Sequence, residues 1–324
     1  MRIVVRQISG LGNQLSQYAA GRYYARRYGA EMEVAVDPPR KAMSHGHPRP
    51  FLLSHFSITS PCREFTAYDR IILAQRASLR PVLTFLRRMS GTQVITEAAT
   101  QRFRFHQDLP IEKDIRTVYL VGFWQAYRYA DELADELRAE LAFREPARGR
   151  NLELLQQIHS AEHPISLHIR RGDYTLAEEG NRALPISYYL QGIHYFKERF
   201  AELTFFVFSD DMNFAKQNLP RDAHIVFVDH NDSYSAHEDL RLMSSCRAHI
   251  IANSTLSWWA AWLNPHPEKI VFSPKYWYLK PDSYFPDLLP PNWILAEHQD
   301  EQPASIPALQ LDTALADESK ITKC

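Results

Sequence analysis

The sequence predicts two α/β lobes facing each other across a cleft, on three observations. The chain has 324 residues, room for two domains of about 150 residues each. It opens with a strand, a glycine loop and a helix, as nucleotide-binding folds do. From Pro164 onward strands and helices alternate with little interruption, the pattern of a parallel sheet with right-handed crossovers. The turn-rich stretch Arg144-Glu-Pro-Ala-Arg-Gly149 divides the chain into lobes of residues 1–148 and 149–297. Residues 298–324 are acidic and aperiodic, and are expected to be a disordered tail.

Each element has its own signal. Arg2 to Gln7 is an apolar strand, Ser9-Gly-Leu-Gly12 a loop, and Asn13 to Tyr28 a helix with Leu15, Tyr18, Ala19 and Tyr23 on one face. Glu31 to Val36 supplies a second strand, whereas Asp37 to Cys62 is broken by prolines and histidines and predicts a loop with short elements. Arg70 to Arg88 predicts a helix apart from Pro81, Thr117 to Phe123 a buried strand, and Tyr127 to Phe143 a helix. In the second half the expected strands are Pro164 to Ile169, Leu203 to Phe208, His224 to Val228, Ala248 to Ala252 and Lys269 to Phe272. Helices are expected around Ile186 to Phe200, after Phe208, and at Ala236 to Cys246 and Thr255 to Leu263.

Composition excludes several classes. The net charge of −1 leaves no global field to recruit nucleic acid or an anionic membrane, so anion recognition must be local. Cys62, Cys246 and Cys324 are odd in number and far apart, which argues against a disulfide framework and for a reducing compartment. No apolar run approaches the roughly 18 residues of a membrane span, and Met1-Arg-Ile-Val-Val is too short for a signal core. The expectation is a cytoplasmic protein, with docking at the inner membrane left open.

The chemistry concentrates in four segments. His168-Ile-Arg-Arg-Gly-Asp-Tyr174 follows an apolar strand directly, which places Arg170 and its neighbours at the carboxyl edge of a sheet, where open α/β folds bind ligands. A guanidinium there offers phosphate a planar fork that lysine cannot match, although a solvated charged turn would read the same way. Gly10-Leu-Gly12-Asn-Gln14 opens a helix whose N–H groups and dipole suit an anion, but it lacks the full dinucleotide spacing and a tight strand-to-helix turn would use the same glycines. Phe208-Ser-Asp-Asp211 ends another strand: Asp210 or Asp211 can accept the two N–H donors of guanine, or cap the next helix. Asn253-Ser-Thr-Leu-Ser-Trp-Trp259 begins a third helix, with hydroxyls in its first turn and tryptophans suited to the core. Metal signals are poor, since His45-Gly-His47 has no neighbouring cysteine or carboxylate and no Asp-x-Asp occurs.

Together, Gly10 to Gln14 with Gln17-Tyr18-Ala19, His168 to Tyr174, Phe208 to Asp211 and Asn253 to Trp262 resemble the α-1,2-fucosyltransferases. The resemblance spans roughly residues 3 to 275. It implies a GT-B fold of two Rossmann-type lobes, the first on the acceptor side and the second binding the donor. It further implies GDP-fucose as donor, a galactose-containing glycan as acceptor, inversion at the fucose anomeric carbon, and no required metal or other cofactor. The chain departs from the family where Ser9 replaces a glycine and where Ser16 and Leu256 replace phenylalanines. By the resemblance His168 lies against the nucleotide, Arg170 holds the departing diphosphate, and Asp210, with Asp211 as reserve, reads guanine. Asn253, Ser254, Thr255 and Ser257 line the phosphates and fucose, and Asn13 approaches from the other lobe as the cleft closes. Asp173 is the candidate general base, with Glu178 in reserve, and acceptor contacts are expected near Pro38 to Cys62 and Arg182 to Tyr189. Three alternatives remain: another nucleotide sugar on the same fold, a non-catalytic nucleotide-gated binding module, and a hydrolase using Asp173. The oligomeric state is not legible.

Overall fold

The structure is a computed structural model that describes residues 1–37, 49–74, 77–97, 103–172, 174–175, 183–278 and 284–297. The first lobe runs β1 (Arg2–Gln7), α1 (Leu11–Tyr28), β2 (Glu31–Val36), β3 (Cys62–Glu64), α2 (Ala67–Ile72), α3 (Arg80–Met89), β4 (Thr92–Thr96) and β5 (Thr117–Val121). Its five strands are parallel in the order β3-β2-β1-β5-β4. Three helices follow, α4 (Arg128–Asp131), α5 (Ala134–Glu140) and α6 (Gly149–Ser160). The second lobe runs β6 (His163–Ile169), α7 (Ile186–Lys197), β7 (Leu203–Ser209), α8 (Met212–Asn218), β8 (Ile225–Val228), α9 (Ala236–Ser244), β9 (Ala248–Ile250), α10 (Thr255–Leu263), β10 (Ile270–Pro274) and β11 (Ile294–Ala296). Its six strands are also parallel, ordered β11-β10-β9-β6-β7-β8. Counted from β6 this is the doubly wound order 3-2-1-4-5-6.

In the second sheet the winding direction reverses between β6 and β9; in the first, β1 lies beside β5, and the chain leaves β1 towards β2 but β5 towards α4. Loops leaving neighbouring strands diverge at such a point and open a crevice beyond the carboxyl edge. The segments after β1, β5, β6 and β9 all border one cleft.

A continuous core joins the lobes. The face of α1 carrying Leu15, Tyr18 and Ala19 packs in the same buried cluster as Trp258, Trp259 and Trp262 of α10. Indole N–H groups need acceptors when buried, and all three find one: Trp258 donates to the Leu288 carbonyl at 3.0 Å, Trp259 to Ser16 Oγ at 2.9 Å and Trp262 to Asp131 Oδ1 at 2.7 Å. The last two bonds cross between lobes. Ser16 in place of a phenylalanine therefore supplies the partner of a buried indole. A second core, with Leu167, Tyr188, Phe196 and Phe205, fills the other face of the second sheet.

Several expectations need correction. Pro81 lies in the first turn of α3 and so begins that helix instead of interrupting a longer one. Strands β3, β4 and β11 and helix α6 escaped the sequence reading. The helix expected over Tyr127 to Phe143 divides at Leu133, whose φ −127° and ψ 29° leave the helical region. The expected disordered tail and the histidine pair of His45 and His47 lie outside the described residues.

Candidate active site in the interlobe cleft

The cleft encloses about 610 Å³, in the range of roughly 300–1,000 Å³ typical of small-molecule sites. Its first-lobe wall includes Ser9 to Asn13, Arg49, Glu97 and Gln125; its second-lobe wall includes His168, Arg170, Asp210, Asp239, Ser254 and Thr255.

The floor is a close approach of two helix N-termini. A Cβ placed on Gly12 would stand 2.4 Å from the Thr255 carbonyl carbon and 2.5 Å from the Leu256 amide nitrogen, so only glycine lets α1 meet the backbone of α10. Asn13 Oδ1 accepts hydrogen bonds from Gln125 Nε2 at 2.5 Å and from Thr255 Oγ1 at 3.3 Å. Asn13 thus already bridges the lobes, without the further closure the sequence suggested. Ser9 has φ 70°, a left-handed conformation that glycine adopts without strain, which explains the family's glycine there. Its hydroxyl compensates by accepting from Asn13 Nδ2 at 2.9 Å.

Arg170 follows β6 with Nη1 2.9 Å from Asp210 Oδ2, both side chains largely shielded from solvent. The second oxygen of Asp210 accepts the Arg171 backbone N–H at 2.8 Å. Both oxygens therefore help to fix the arginine turn, each with one contact. His168 pairs in register with Phe208 across β6 and β7 and is buried, with Nδ1 lacking a hydrogen-bond partner among the described residues. Burial, opposed by Asp210 and aided by Arg170, pulls its imidazole down to about 4, so at neutral pH the ring is uncharged.

Three expected contacts lie outside the cleft wall. Asp211 caps α8 by accepting from the Phe214 N–H at 3.1 Å and pairs with Arg171 Nε at 3.2 Å; Arg171 itself lies over the Phe214 ring, 3.6 Å from its centroid. Asn253 is buried and donates to the Trp277 carbonyl at 2.9 Å. Ser257 is buried in α10 and donates to the Ser254 carbonyl at 3.2 Å. Asp173 and Glu178 fall outside the described residues.

Three cleft residues went unnoticed in the sequence. Arg49 brings a second guanidinium beside Gly10. Glu97 follows β4 and hangs from the turn after β5, its Oε2 accepting the N–H groups of Phe123 at 2.8 Å and Trp124 at 3.2 Å. Asp239 of α9 accepts from Asn231 Nδ2 at 2.8 Å through Oδ1, while Oδ2 takes no hydrogen bond among the described residues. Loss of hydration raises the Asp239 carboxyl to about 7, with the Asn231 bond opposing and Glu238 and Asp232 adding to the rise.

Residues 102–295, more than half of the chain, match the family model described as glycosyl transferase family 11. The chain belongs to that family. It is 29% identical over 304 residues to a protein of Escherichia coli named alpha-1,2-colitosyltransferase, covering 91% of this chain and 99% of that one. To the E. coli O-antigen biosynthesis glycosyltransferase WbnK it is 28% identical over 292 residues, 83% and 92% of the two chains. To human galactoside alpha-(1,2)-fucosyltransferase 1 it is 24% identical over 206 residues, 60% of this chain and 56% of that one. Among solved structures, NodZ alpha-1,6-fucosyltransferase co-crystallized with GDP superposes with a TM-score of 0.52 at 19% identity, covering 84% of this chain and 94% of that one. The family 11 protein has the GT-B fold expected from its sequence.

Proposed function

We propose that the cleft transfers L-fucose from GDP-β-L-fucose to the 2-hydroxyl of a galactoside, with inversion, forming an α-1,2 linkage. The observation that carries this reading is the convergence of the Arg170 fork with the facing N-termini of α1 and α10. In an inverting displacement, charge builds on the departing diphosphate as the sugar becomes oxocarbenium-like, and fixed donors around that oxygen supply catalysis. Arg170, oriented by Asp210, meets the β-phosphate, and the first-turn N–H groups at Ser254 and Thr255 meet the remaining oxygens. Asp239, with one oxygen uncommitted, takes over from Asp210 the pairing with the guanine N–H donors. Neutral His168, in the cleft lining, contacts the nucleotide. Metal independence belongs to the same proposal, since the arginine and helix ends provide the positive charge that a divalent ion would otherwise bring.

The test is incubation of purified protein with GDP-fucose and a panel of β-galactosides, with the product linkage read by NMR. A 2-linked α-fucoside is expected. Free fucose without acceptor would indicate a hydrolase, and GDP binding without turnover a binding module. The similarity to a protein named colitosyltransferase favours one second reading, in which GDP-colitose is the donor; competition between the two GDP-sugars separates them.

We also propose that the protein works against an anionic membrane surface. No helix among the described residues is long and apolar enough to cross a membrane. On the outer face of α2 and α3, however, Ile71, Val82, Phe85 and Met89 are 50%, 56%, 62% and 73% exposed. Arg70, Arg80 and Arg88 stand exposed around them, and the one acid between Ala67 and Thr96, Asp69, is buried against Arg63. An apolar face ringed by arginine suits the headgroup layer of an acidic bilayer. Co-sedimentation with phosphatidylglycerol vesicles, weak with phosphatidylcholine and abolished by Phe85→Glu with Met89→Glu, is the expected result. Absence of vesicle binding, or a dimer lost in the same variant, would overturn it.

A further inference from the structure

We infer that Glu97 is the general base that deprotonates the acceptor hydroxyl, an assignment that rests on the transferase reading above. Four described carboxylates border the cleft: Glu97, Asp210, Asp232 and Asp239. Three belong to the donor lobe and have other work. Asp210 is engaged on both oxygens by Arg170 and the Arg171 N–H. Asp232 accepts the backbone N–H groups of Tyr234 and Ser235 and the Ser235 hydroxyl through Oδ1, which ties it into a turn. Asp239 is held by Asn231 through Oδ1, and on the reading above its other oxygen pairs with the base of the donor. Glu97 alone comes from the acceptor lobe, and its Oε1 takes no hydrogen bond among the described residues.

The turn that holds Glu97 is built for it. A Cβ on Gly122 would lie 2.4 Å from the Glu97 Cβ, so any other residue there would displace the carboxylate. Trp124 next to it adopts φ 54° although it carries a bulky side chain, a strained conformation of the kind that gathers at functional sites. The Gly122 carbonyl is in turn anchored by Gln17 Nε2 at 3.0 Å, and Gln125 reaches Asn13 on the cleft floor. Two amide donors fix Oε2, which leaves Oε1 as the only oxygen of this rigid group able to receive a proton.

In the proposed step the acceptor oxygen attacks the anomeric carbon on the face opposite the diphosphate. Its proton passes to Glu97 Oε1 as the new C–O bond forms. The C1–O bond to the β-phosphate breaks with its electron pair leaving on GDP, where Arg170 meets the charge. The proton later returns to solvent, and no other reagent is consumed.

The experiment compares wild type with Glu97→Gln and Asp173→Asn. Glutamine can still accept the two turn N–H groups, so melting temperature and GDP-fucose affinity should be unchanged. Turnover should fall by about 10²–10⁴-fold, and the acidic limb of the pH–rate profile should vanish. Glu97→Gln turnover within about threefold of wild type, or an acidic limb that persists there and disappears in Asp173→Asn, overturns the assignment while leaving the donor reading intact. Should wild type transfer from no GDP-sugar to any galactoside, both readings fall together. A Glu97→Gln protein that loses GDP affinity and melting temperature in proportion to turnover shows a scaffold role, which also overturns it.

Discussion

Arg170 is held by Asp210 before any ligand arrives, Nη1 to Oδ2 at 2.9 Å. A guanidinium fixed in advance spends no reorganisation on the transition state. Arg170→Ala should therefore lose about 2.7–4 kcal/mol of transition-state stabilisation, several hundredfold in kcat. Arg170→Lys should recover little, because a point charge cannot replace the fork. Asp210→Asn keeps one acceptor but loses its charge, and should cost about 1.5–3 kcal/mol in kcat/KM with GDP selectivity retained. Loss of GDP over ADP selectivity in Asp210→Asn would return the base-reading role to that residue.

Donor affinity should depend on pH through Asp239. Its carboxyl is raised to about 7 in the fold, so below that pH it carries a proton that a guanine N–H pair must expel. Affinity for GDP-fucose should rise as pH climbs towards 7 and then level, with proton release seen by calorimetry in buffers of different ionisation heat. The free fold shows the opposite sign: a raised acid binds more protons folded than unfolded between about 4 and 7, so its contribution to stability declines as pH rises through that window. Asp239→Asn should abolish both dependences. A pH response of GDP-fucose binding that survives in Asp239→Asn would place the titration elsewhere.

The interlobe seam should be sensitive to single atoms. Gly12→Ala would press a methyl group into the Thr255 backbone at 2.4 Å and should lower both melting temperature and kcat. Ser16→Ala leaves the buried Trp259 N–H without its acceptor, a cost of about 1–3 kcal/mol. Denaturant unfolding of the two variants, with an unchanged Ser16→Ala protein as the disproving result, checks the seam.

Turnover should survive excess EDTA. If activity disappears with the chelator and Mn²⁺ restores it, the cationic role assigned to Arg170 and the helix ends is wrong.

What was legible in the sequence follows from where each side chain sits. His168 lies at the end of the buried strand β6, Arg170 directly follows it, and Thr255 opens the helix after β9, so pattern alone places them near a sheet edge. Glu97 follows β4, whose Thr-Gln-Val-Ile-Thr run is only half-buried. Such a strand gives a weak alternation signal beside the prolines and arginines of α3, and the start at Gly91 with β-branched residues was the cue available. Asp239 sits in an amphipathic helix among Glu238 and Arg241, where an acid reads as a solvated charge until the cleft wall is seen. Asp211 and Ser257 stand off the cleft wall, one capping α8 and one bonded within α10, because helix capping and intrahelical hydroxyl bonding use the same residue types as ligand binding.

The meeting of α1 and α10 at Gly12 and Thr255 sets two helix N-termini against each other. Each carries roughly half a positive charge at its first turn, so the seam that joins the lobes is also where like partial charges confront one another. An anion seated there turns that repulsion into attraction from both sides. On the donor reading proposed above, a bound diphosphate is therefore expected to hold the lobes together as well as to react. Resistance to proteolysis at the lobe junction should accordingly report occupancy of the cleft even in variants that have lost all chemistry.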